Sequence, residues 1–261
     1  MADSPPLDLA GATLAGGRIS AVSLLNRAFA GVAAEPLLRF AIEQLFRDRI
    51  ALVSSFGAES AVLLHMAARI APALPVLFLD TGKLFPETLA YRDRLVGQLG
   101  LSNVRTILPD TDALEREDAS GLLHQSAPDE CCRIRKVEPL AAALAGYEAW
   151  ITGRKRFQVR GRQNLRTFDE QDGRIKLNPL ADWSPAQILA YVREHDLPEH
   201  PLVADGYSSI GCLPCTSRTH AGEDVRAGRW RGLAKSECGL HQPPGGAVSV
   251  RRGGDAIDPG R

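Results

Sequence analysis

The stretch that decides the fold is IALVSSFGAES, residues 50–60. The short apolar run Ile50 to Val53 predicts a buried strand, and apolar residues at helical spacing over residues 60–70 predict a helix after it. The segment between them is polar and ends where the helix begins. A strand that passes through a polar loop into a helix is part of a strand–helix–strand unit, which is typical of α/β proteins.

The same alternation continues on both sides of this stretch. Helical spacing precedes it over residues 36–47, and strands are predicted at residues 76–79, 104–108 and 150–152, with helices at residues 86–99 and 132–144 between them. This order predicts an α/β fold with a parallel sheet that is covered on both faces. Ligands of such a Rossmann-like sheet bind at the carboxyl ends of its strands.

Composition shifts predict four regions along the chain. Residues 1–33 are expected to form a loosely ordered arm with room for a short helix, and residues 34–200 the α/β domain. Its last helix is expected to begin at Pro185 with Ser184 as N-cap. Residues 201–242 are rich in cysteine and arginine and predict an irregular segment, and residues 243–261 predict a disordered tail.

Composition also limits the function. The 261 residues carry 31 Lys and Arg against 31 Asp and Glu, which argues against general binding to nucleic acid or to membranes. No apolar run approaches the ~18 residues of a membrane span, and Met1 to Ser20 lacks the features of a signal peptide. The number of cysteines, five, is odd, which favours reduced thiols over a scaffold of disulfides. We therefore expect a cytoplasmic protein.

Two predicted loops lie at the carboxyl ends of strands. The loop Ser54 to Ser60 offers hydroxyls and backbone N–H groups to an anion at a helix N-terminus, and an ordinary turn capped by Ser55 or Glu59 explains it equally well. It lacks the glycines and lysine of a P-loop. In the second loop, Asp80-Thr81-Gly82, the aspartate is a candidate to orient a ribose, although a simple turn accounts for most of these residues.

Four cysteines fall in two close pairs, 80 residues apart: Cys131-Cys132 and Cys212-Leu213-Pro214-Cys215. Such a set predicts a four-thiolate site for structural zinc or an iron–sulfur cluster, with buried unligated cysteines as the alternative. Adjacent ligands are unusual in zinc fingers, so the spacing favours the cluster. A cluster would also hold the last third of the chain against the sheet domain.

Cationic residues are concentrated in a chain of zero net charge. Lys136 follows Cys132 by four residues, and the others are Arg154, Lys155, Arg156, Arg160, Arg162, Arg166, Arg226 and Arg229. Their clustering predicts a polyanionic small ligand or a nucleic acid, whereas Arg154, Lys155 and Arg166 taken singly are better explained as solvated. Only Phe157 interrupts the run, which argues against stacking on a single strand.

The fifth cysteine, Cys238, stands alone in Glu237-Cys238-Gly239-Leu240-His241. A thiol near cations can act as a nucleophile, although an isolated cysteine is more often inert.

Together these motifs resemble the assimilatory adenylyl-sulfate (APS) and phosphoadenylyl-sulfate (PAPS) reductases, which have the adenine-nucleotide α-hydrolase-like fold. The resemblance covers about Ser54 to His241, and its most specific elements are CCRIRK (131–136), CLPC (212–215), RAGRW (226–230) and ECGLH (237–241). The loop Ser54 to Ser60 is similar to the family's modified pyrophosphate loop. The segments Asp80-Thr81-Gly82 and Trp150 to Gly153 match its other nucleotide-pocket segments.

The resemblance implies specific roles. It assigns Cys131, Cys132, Cys212 and Cys215 to a [4Fe–4S] cluster, whose presence marks members that use APS rather than PAPS, and Cys238 to the role of nucleophile. The expected catalytic residues around the phosphosulfate are Lys136, Arg226, Arg229 and His241. The expected substrate-binding residues are Ser54, Ser55, Phe56, Gly57, Glu59, Ser60, Asp80, Thr81, Gly82, Gly153 and Arg162. One departure from the family lies after Gly153, where Gln158-Val159-Arg160-Gly161-Arg162 replaces Gln-Ser-x-x-Arg.

The implied reaction reduces APS to sulfite and AMP through an enzyme S-sulfocysteine, with thioredoxin or glutaredoxin as the thiol reductant and no nucleic acid or membrane as partner. The resemblance also allows a homo-oligomer. The alternatives are a PAPS reductase, an ATP pyrophosphatase of the same fold, and, from a different class, a zinc-ribbon RNA-binding module. The pyrophosphatases typically have Ser-Gly-Gly-x-Asp-Ser where this chain has Ser-Phe-Gly-Ala-Glu-Ser at residues 55–60.

Overall fold

The structure is a computed structural model that describes residues 20–241. The first 19 residues of the predicted arm and the predicted tail at residues 243–261 lie outside the described residues. The strands are β1 (Ile50–Ser54), β2 (Val76–Leu79), β3 (Val104–Ile107), β4 (Ala149–Ile151), β5 (Phe168–Gln171) and β6 (Arg174–Leu177). The helices are α1 (Ala21–Ala28), α2 (Ala34–Phe40), α3 (Ser60–Ile70), α4 (Pro86–Leu99), α5 (Thr111–Glu117), α6 (Leu123–Ser126), α7 (Pro128–Cys132), α8 (Glu138–Ala143), α9 (Pro185–Glu194) and α10 (Pro201–Ala204).

The six strands form one sheet in the order β3-β2-β1-β4-β6-β5. All neighbours are parallel except β5 and β6, which pair antiparallel at the edge. The connection leaves β1 in one direction toward β2 and β3, and the chain returns on the other side of β1 at β4. The predicted α/β fold is confirmed. Because β1 and β4 are central neighbours at the reversal of strand order, the crevice at their carboxyl ends is where such a sheet binds ligands.

Side chains of β1 alternate between two apolar layers. Ile50 and Leu52 join the larger core with α2, α3, α4 and α9, while Ala51 packs with Trp150 and Leu140 in a smaller layer on the opposite face. Both faces are therefore dry, as expected for a parallel sheet.

The hairpin β5–β6 was not predicted from the sequence. Its residues are mostly polar, so they lack the apolar run of a buried strand. The turn is nevertheless encoded by Asp172-Gly173, whose φ angles of 53° and 72° are those of a tight two-residue hairpin turn.

Part of the predicted N-terminal arm is packed against this hairpin. Helix α1 buries Val22 and Leu25, and Asn26 bonds to Phe168 of β5 in both directions, with distances of 2.7 Å to its carbonyl and 3.0 Å from its N–H. Residues 20–28 therefore belong structurally to the α/β layer.

The Cys/Arg-rich segment is largely irregular, as its composition predicts. Between residues 201 and 241, the helical elements are α10 and a short 3₁₀ turn at Leu213–Cys215, and the remaining backbone is irregular. Across residues 20–241, none of the helices combines the length and the apolarity needed to cross a bilayer.

Candidate active site

A cleft of about 220 Å³ opens at the carboxyl ends of β1 and β4. It collects twelve of the residues predicted to bind substrate or take part in catalysis: Ser54, Ser55, Gly57, Glu59, Ser60, Lys136, Gly153, Arg162, Arg226, Arg229, Cys238 and His241. These residues come from five separate segments of the chain. The fold therefore brings the pyrophosphate-like loop, the cationic loop after β4 and the ECGLH segment to one place.

Four predicted substrate-binding residues do not line this cleft. Phe56 is fully buried, with its ring at 5.4 Å from that of Phe78 in an edge-to-face contact. Asp80 closes its own turn by accepting a 2.9 Å bond from Gly82 N–H, and Thr81 points toward Cys212 instead. These four residues lie outside the lining of the cleft, and their part in substrate binding stays a prediction.

The loop Ser54 to Ser60 is held in a fixed shape. Phe56 has a φ of 47°, a backbone conformation uncommon for a residue with a side chain, and its N–H donates a 3.1 Å bond to Ser54 Oγ. The buried ring of Phe56 keeps the backbone in this conformation. The loop therefore turns tightly into α3 although it lacks the second glycine of the pyrophosphatase motif.

Glu59 ties this loop to the loop after β4. Its carboxylate accepts bonds from Lys155 Nζ at 2.8 Å and from Gln158 Nε2 at 2.7 Å, and makes no side-chain cap bond. Lys155 is only 2% exposed and Arg154 is also largely enclosed, so the expectation that these two cations are solvated is wrong, whereas Arg166 is exposed. They are buried because the β5–β6 hairpin and Glu59 cover the start of the cationic run.

Positive charge dominates the cleft. Its lining includes the two carboxylates Glu59 and Glu237 and the six cationic side chains of Lys136, Arg154, Lys155, Arg162, Arg226 and Arg229. Burial lowers the pKa of Arg154 and of Arg226 to about 10. Such an excess of enclosed cations fits a ligand that carries several negative charges.

Three buried polar atoms of residues that line the cleft also lack partners. Among residues 20–241, Arg226 Nε, Trp230 Nε1 and His241 Nδ1 have no hydrogen-bond partner. Buried donors and acceptors are normally satisfied, so these atoms mark places where a polar ligand would bind.

The ECGLH segment is held across the cleft at two points. Glu237 accepts a 2.7 Å bond from Arg162 Nε and a 3.2 Å bond from Arg226 Nη2. Further on, Gln171 Nε2 donates to the carbonyl of Leu240 at 3.1 Å, and the His241 ring stacks on Trp150 with a centroid distance of 5.8 Å. Cys238 lies between these two contacts.

Lys176 of β6 lies beneath the second contact. It is 2% exposed, its Nζ is 4.4 Å from the Trp150 ring centroid, and it donates a 2.7 Å bond to Gln171 Oε1. Burial, reinforced by Arg154, lowers the pKa of Lys176 to about 6. Burial together with Lys176 and Arg154 also holds the pKa of His241 well below its usual value. Both side chains are therefore mainly neutral near pH 7.

Lys136 projects toward the nucleophile candidate from an unusual turn. Helix α7 ends at Cys132 and continues through a π turn, Arg133–Val137, into α8. Burial works against the charge of Lys136, but the thiols of Cys212, Cys238 and Cys132 raise its pKa above the usual value. The lysine is therefore a fixed positive charge between the cysteine pairs and Cys238.

The four paired cysteines line one small cavity next to the cleft. Cys131 and Cys132 reach it from the end of α7, and Cys212 and Cys215 from the two sides of the 3₁₀ turn. The segments are joined by a 2.8 Å bond from Leu213 N–H to Lys83 O and by a 3.2 Å contact between Thr81 Oγ1 and Cys212 Sγ. The predicted meeting of the two pairs is present in the structure.

The chemistry of this donor set fits a cluster. Burial raises the pKa of Cys131, Cys132 and Cys215, to about 12 for Cys132, whereas Lys136 and Thr81 outweigh burial and lower the pKa of Cys212. Buried thiols of this kind become thiolates when a metal takes the place of the proton. Among residues 20–241, no group of three or more His, Cys, Asp or Glu side chains lies close enough together to hold a metal ion. Four buried thiols around one cavity supply the ligand type that an iron–sulfur cluster and a structural zinc both take.

A buried ion pair supports this cavity from below. Arg135 donates a 2.6 Å bond to Asp118 and a 2.8 Å bond to the carbonyl of Thr81, and the Asp118 side chain has no exposed surface. The pair therefore fixes the loop that contacts Cys212.

Several parts of the cleft were not predicted from the sequence. Glu237, Gln158 and the wall Ser208–Gly211 line it, and Lys176 lies below it. The motif ECGLH contains Glu237 and follows the arginine motif RAGRW by six residues, so an acidic residue close to that motif was a signal that could have found it. Nothing local marks residues 208–211, which reach the cleft only because the irregular segment folds back over β1.

Comparison with known proteins matches this arrangement. The phosphoadenosine phosphosulfate reductase domain model matches residues 49–218. The chain belongs to this family. It is 58% identical to an adenosine 5′-phosphosulfate reductase from Mesorhizobium japonicum over 76% of this chain and 78% of the relative. A second adenosine 5′-phosphosulfate reductase, from a Chelativorans species, is 52% identical over 84% of this chain and 90% of the relative.

A solved structure gives the same assignment. The phosphoadenylyl-sulfate reductase from Candida auris superposes with a TM-score of 0.64 at 26% identity, covering 77% of this chain and all of that one. The resemblance found in the motifs, the adenine-nucleotide α-hydrolase-like fold and the assignment to a reductase acting on sulfur are thereby confirmed. Membership of this family argues against two of the alternatives, the zinc-ribbon RNA-binding module and the ATP pyrophosphatase.

The Asp118–Arg135 pair gives a stability prediction. Asp118→Asn should lower the free energy of unfolding by about 3 kcal/mol, because it leaves the buried guanidinium of Arg135 without its counter-charge. Urea unfolding measures the change. In the matched control, Glu43→Gln removes the exposed ion pair with Arg39, at 3.1 Å, and should cost no more than about 0.5 kcal/mol. Equal effects of the two variants would contradict the supporting role of the buried pair.

Proposed function

We propose that the protein reduces adenylyl sulfate to sulfite and AMP, with Cys238 as nucleophile and a dithiol protein such as thioredoxin as reductant. The observation that carries the proposal is the convergence of Cys238, Lys136 and three arginines on one cleft at the carboxyl ends of β1 and β4. The names of the 52% and 58% identical relatives support APS as the substrate.

In this proposal the nucleotide lies along the loop Ser54 to Ser60 with its phosphosulfate toward the cations. The backbone N–H groups of the loop and of the N-terminus of α3 would bind negatively charged oxygens of the nucleotide. Lys136, Arg162, Arg226 and Arg229 would surround the phosphosulfate, and the free Nε of Arg226 is a donor available to one of its oxygens.

The first step is attack of the Cys238 thiolate on the sulfur of the sulfate group. The new S–S bond forms as the bond from sulfur to the bridging oxygen breaks, so that AMP leaves with that electron pair and the enzyme keeps an S-sulfocysteine. Charge then grows on the phosphate of AMP. Arginine and lysine side chains fixed around it stabilise that charge, which is the usual role of such clamps.

The second step returns the enzyme to its thiol. A thiolate of the reductant attacks Cys238 Sγ and expels sulfite, and the second thiol of the reductant resolves the mixed disulfide. Two electrons pass from the dithiol to sulfur in this exchange. Glutaredoxin supplies the same chemistry, and an assimilatory role in the cytoplasm is consistent with a dithiol reductant. The homo-oligomer stays a prediction.

The proposed cofactor is a [4Fe–4S] cluster held by Cys131, Cys132, Cys212 and Cys215. When bound, it would join the end of α7 to the Cys212–Cys215 turn and add its charge beside Lys136. Lys136 and Trp230 line both the thiol cavity and the cleft, so the two sites share a wall.

The decisive test separates the two steps at Cys238. Wild-type protein given APS without reductant should release AMP and gain one SO₃ group on Cys238, because covalent catalysis stops there until a thiol arrives. Peptide mass spectrometry locates the adduct, and thioredoxin added later should discharge it as sulfite. Cys238→Ser should lose at least about 10³-fold in sulfite formation. An adduct on another cysteine, or wild-type turnover by the serine variant, contradicts the mechanism.

The cluster proposal predicts a specific loss of iron. Anaerobically purified wild-type protein should contain about four iron atoms per chain and absorb at ~400 nm. Cys215→Ser should lose most of that iron because one of four thiolates is gone, while Cys238→Ser, outside the ligand set, should retain it. Iron and acid-labile sulfide analyses measure both, and stoichiometric zinc without sulfide would overturn the assignment.

Substrate choice gives a further prediction. We expect kcat/KM for APS to exceed that for PAPS by at least about tenfold, because the 3′-phosphate of PAPS needs cationic partners of its own. The comparison uses one enzyme preparation with both nucleotides. A preference for PAPS would favour the alternative PAPS reductase and show that the cationic loop accepts the additional phosphate.

A further inference from the structure

Glu237 lies where a ligand anion is expected. Its two carboxylate oxygens accept from different arginines, Oε1 from Arg162 and Oε2 from Arg226. The Arg162 side chain is 8% exposed and that of Arg226 15%, so both guanidinium groups are largely enclosed. Each arginine bonds a single oxygen of Glu237, and charge-assisted bonds of this kind are formed by the oxygens of carboxylate, phosphate and sulfate alike.

The contact satisfies charge that would otherwise be unpaired. Glu59 is the other carboxylate of the cleft, and it is engaged by Lys155 and Gln158. Without Glu237, the enclosed charges of Arg162 and Arg226 would face the cleft with no anion from the described residues that line it. Leaving such charges unpaired is costly, so the carboxylate stabilises the cleft when no substrate is bound.

The same contact fixes the position of the neighbouring nucleophile. Cys238 follows Glu237 directly, and on its other side Leu240 and His241 are held by Gln171 and Trp150. Arg226 Nη2 also donates a 2.9 Å bond to the carbonyl of Ser236, so the backbone before Glu237 keeps one contact when the carboxylate is lost. Loss of the Glu237 carboxylate would remove the contacts nearest to Cys238, including the whole contact with Arg162, while the His241 end stays attached.

We propose that Glu237 is a positioning residue that occupies the arginine site in place of the substrate's sulfate or phosphate, and that the substrate must displace it to bind. The inference rests on the proposed function and extends it to the free enzyme. Arg162 and Arg226 can then either bind an anion or hold Cys238 in place through Glu237. If the Glu237 contact weakens anion binding by a given factor, a bound anion weakens the Glu237 contact by the same factor.

The test uses Glu237→Gln in the full-length, cluster-containing protein, with inorganic sulfate as the probe. The amide keeps the size of the side chain, but its nitrogen cannot accept from an arginine. Calorimetric titration should show sulfate binding at least about fivefold tighter than in the wild type, because the competing anion is gone. Without any ligand, Cys238 should be alkylated by iodoacetamide at least about fivefold faster, as followed by peptide mass spectrometry.

Glu223→Gln is the matched control. Glu223 pairs with Arg231 at 2.8 Å in the same irregular segment but does not line the cleft. It should leave both measurements within about twofold of the wild type. Equal thermal unfolding midpoints of the variants show that neither effect comes from misfolding. If Glu237→Gln is unstable, Glu237→Asp serves instead. It keeps the charge, so its sulfate affinity and its Cys238 alkylation rate should lie close to those of the wild type.

The outcomes are distinct. Tighter sulfate binding with unchanged alkylation of Cys238 would mean that Glu237 acts only through its charge, and unchanged sulfate affinity would mean that it does not occupy the anion site. Either result overturns the proposal. Neither measurement uses APS or thioredoxin, so a failure of APS reduction would appear separately.

Discussion

Enclosed positive charge is the constraint on which the rest of the site depends. Parallel strands β1 and β4 end side by side, and the segments around their carboxyl ends bring six lysine and arginine side chains to one cleft. The lining of the cleft includes two carboxylates, and each makes a different contact. Glu59 fixes the two loops to each other, whereas Glu237 belongs to the segment that carries Cys238. The cleft is therefore built for an anion that the protein itself supplies only in part.

Two neutral side chains complete this arrangement. Lys176 and His241 lie close to the cations, and burial keeps both mainly uncharged near pH 7. Near pH 7 they therefore add little positive charge beside the cleft. They also stack on or approach Trp150, so the apolar layer below the sheet provides the surface that receives the end of the ECGLH segment.

The thiol cavity and the cleft are neighbouring parts of one structure. Lys136 and Trp230 line both, and the chain from Asp118 through Arg135 and Thr81 to Cys212 supports their common wall. A substitution in that chain should therefore affect the cysteine site before it affects nucleotide contacts.

The sequence by itself determined the parallel sheet, the loop after β1, the two cysteine pairs and the lone Cys238, because apolar periodicity and motif spacing are local properties of the chain. It also located Lys136, Arg226 and Arg229 through the motifs that contain them. Only the tertiary structure decided which cations are enclosed, since Lys155 is buried by Glu59, 96 residues away in the chain. The same holds for Glu237, which bonds to Arg162 across 75 residues, and for Lys176, which is buried by a hairpin with no apolar run to mark it. Burial and ion pairing depend on which distant segments meet, and spacing along the chain does not contain that information.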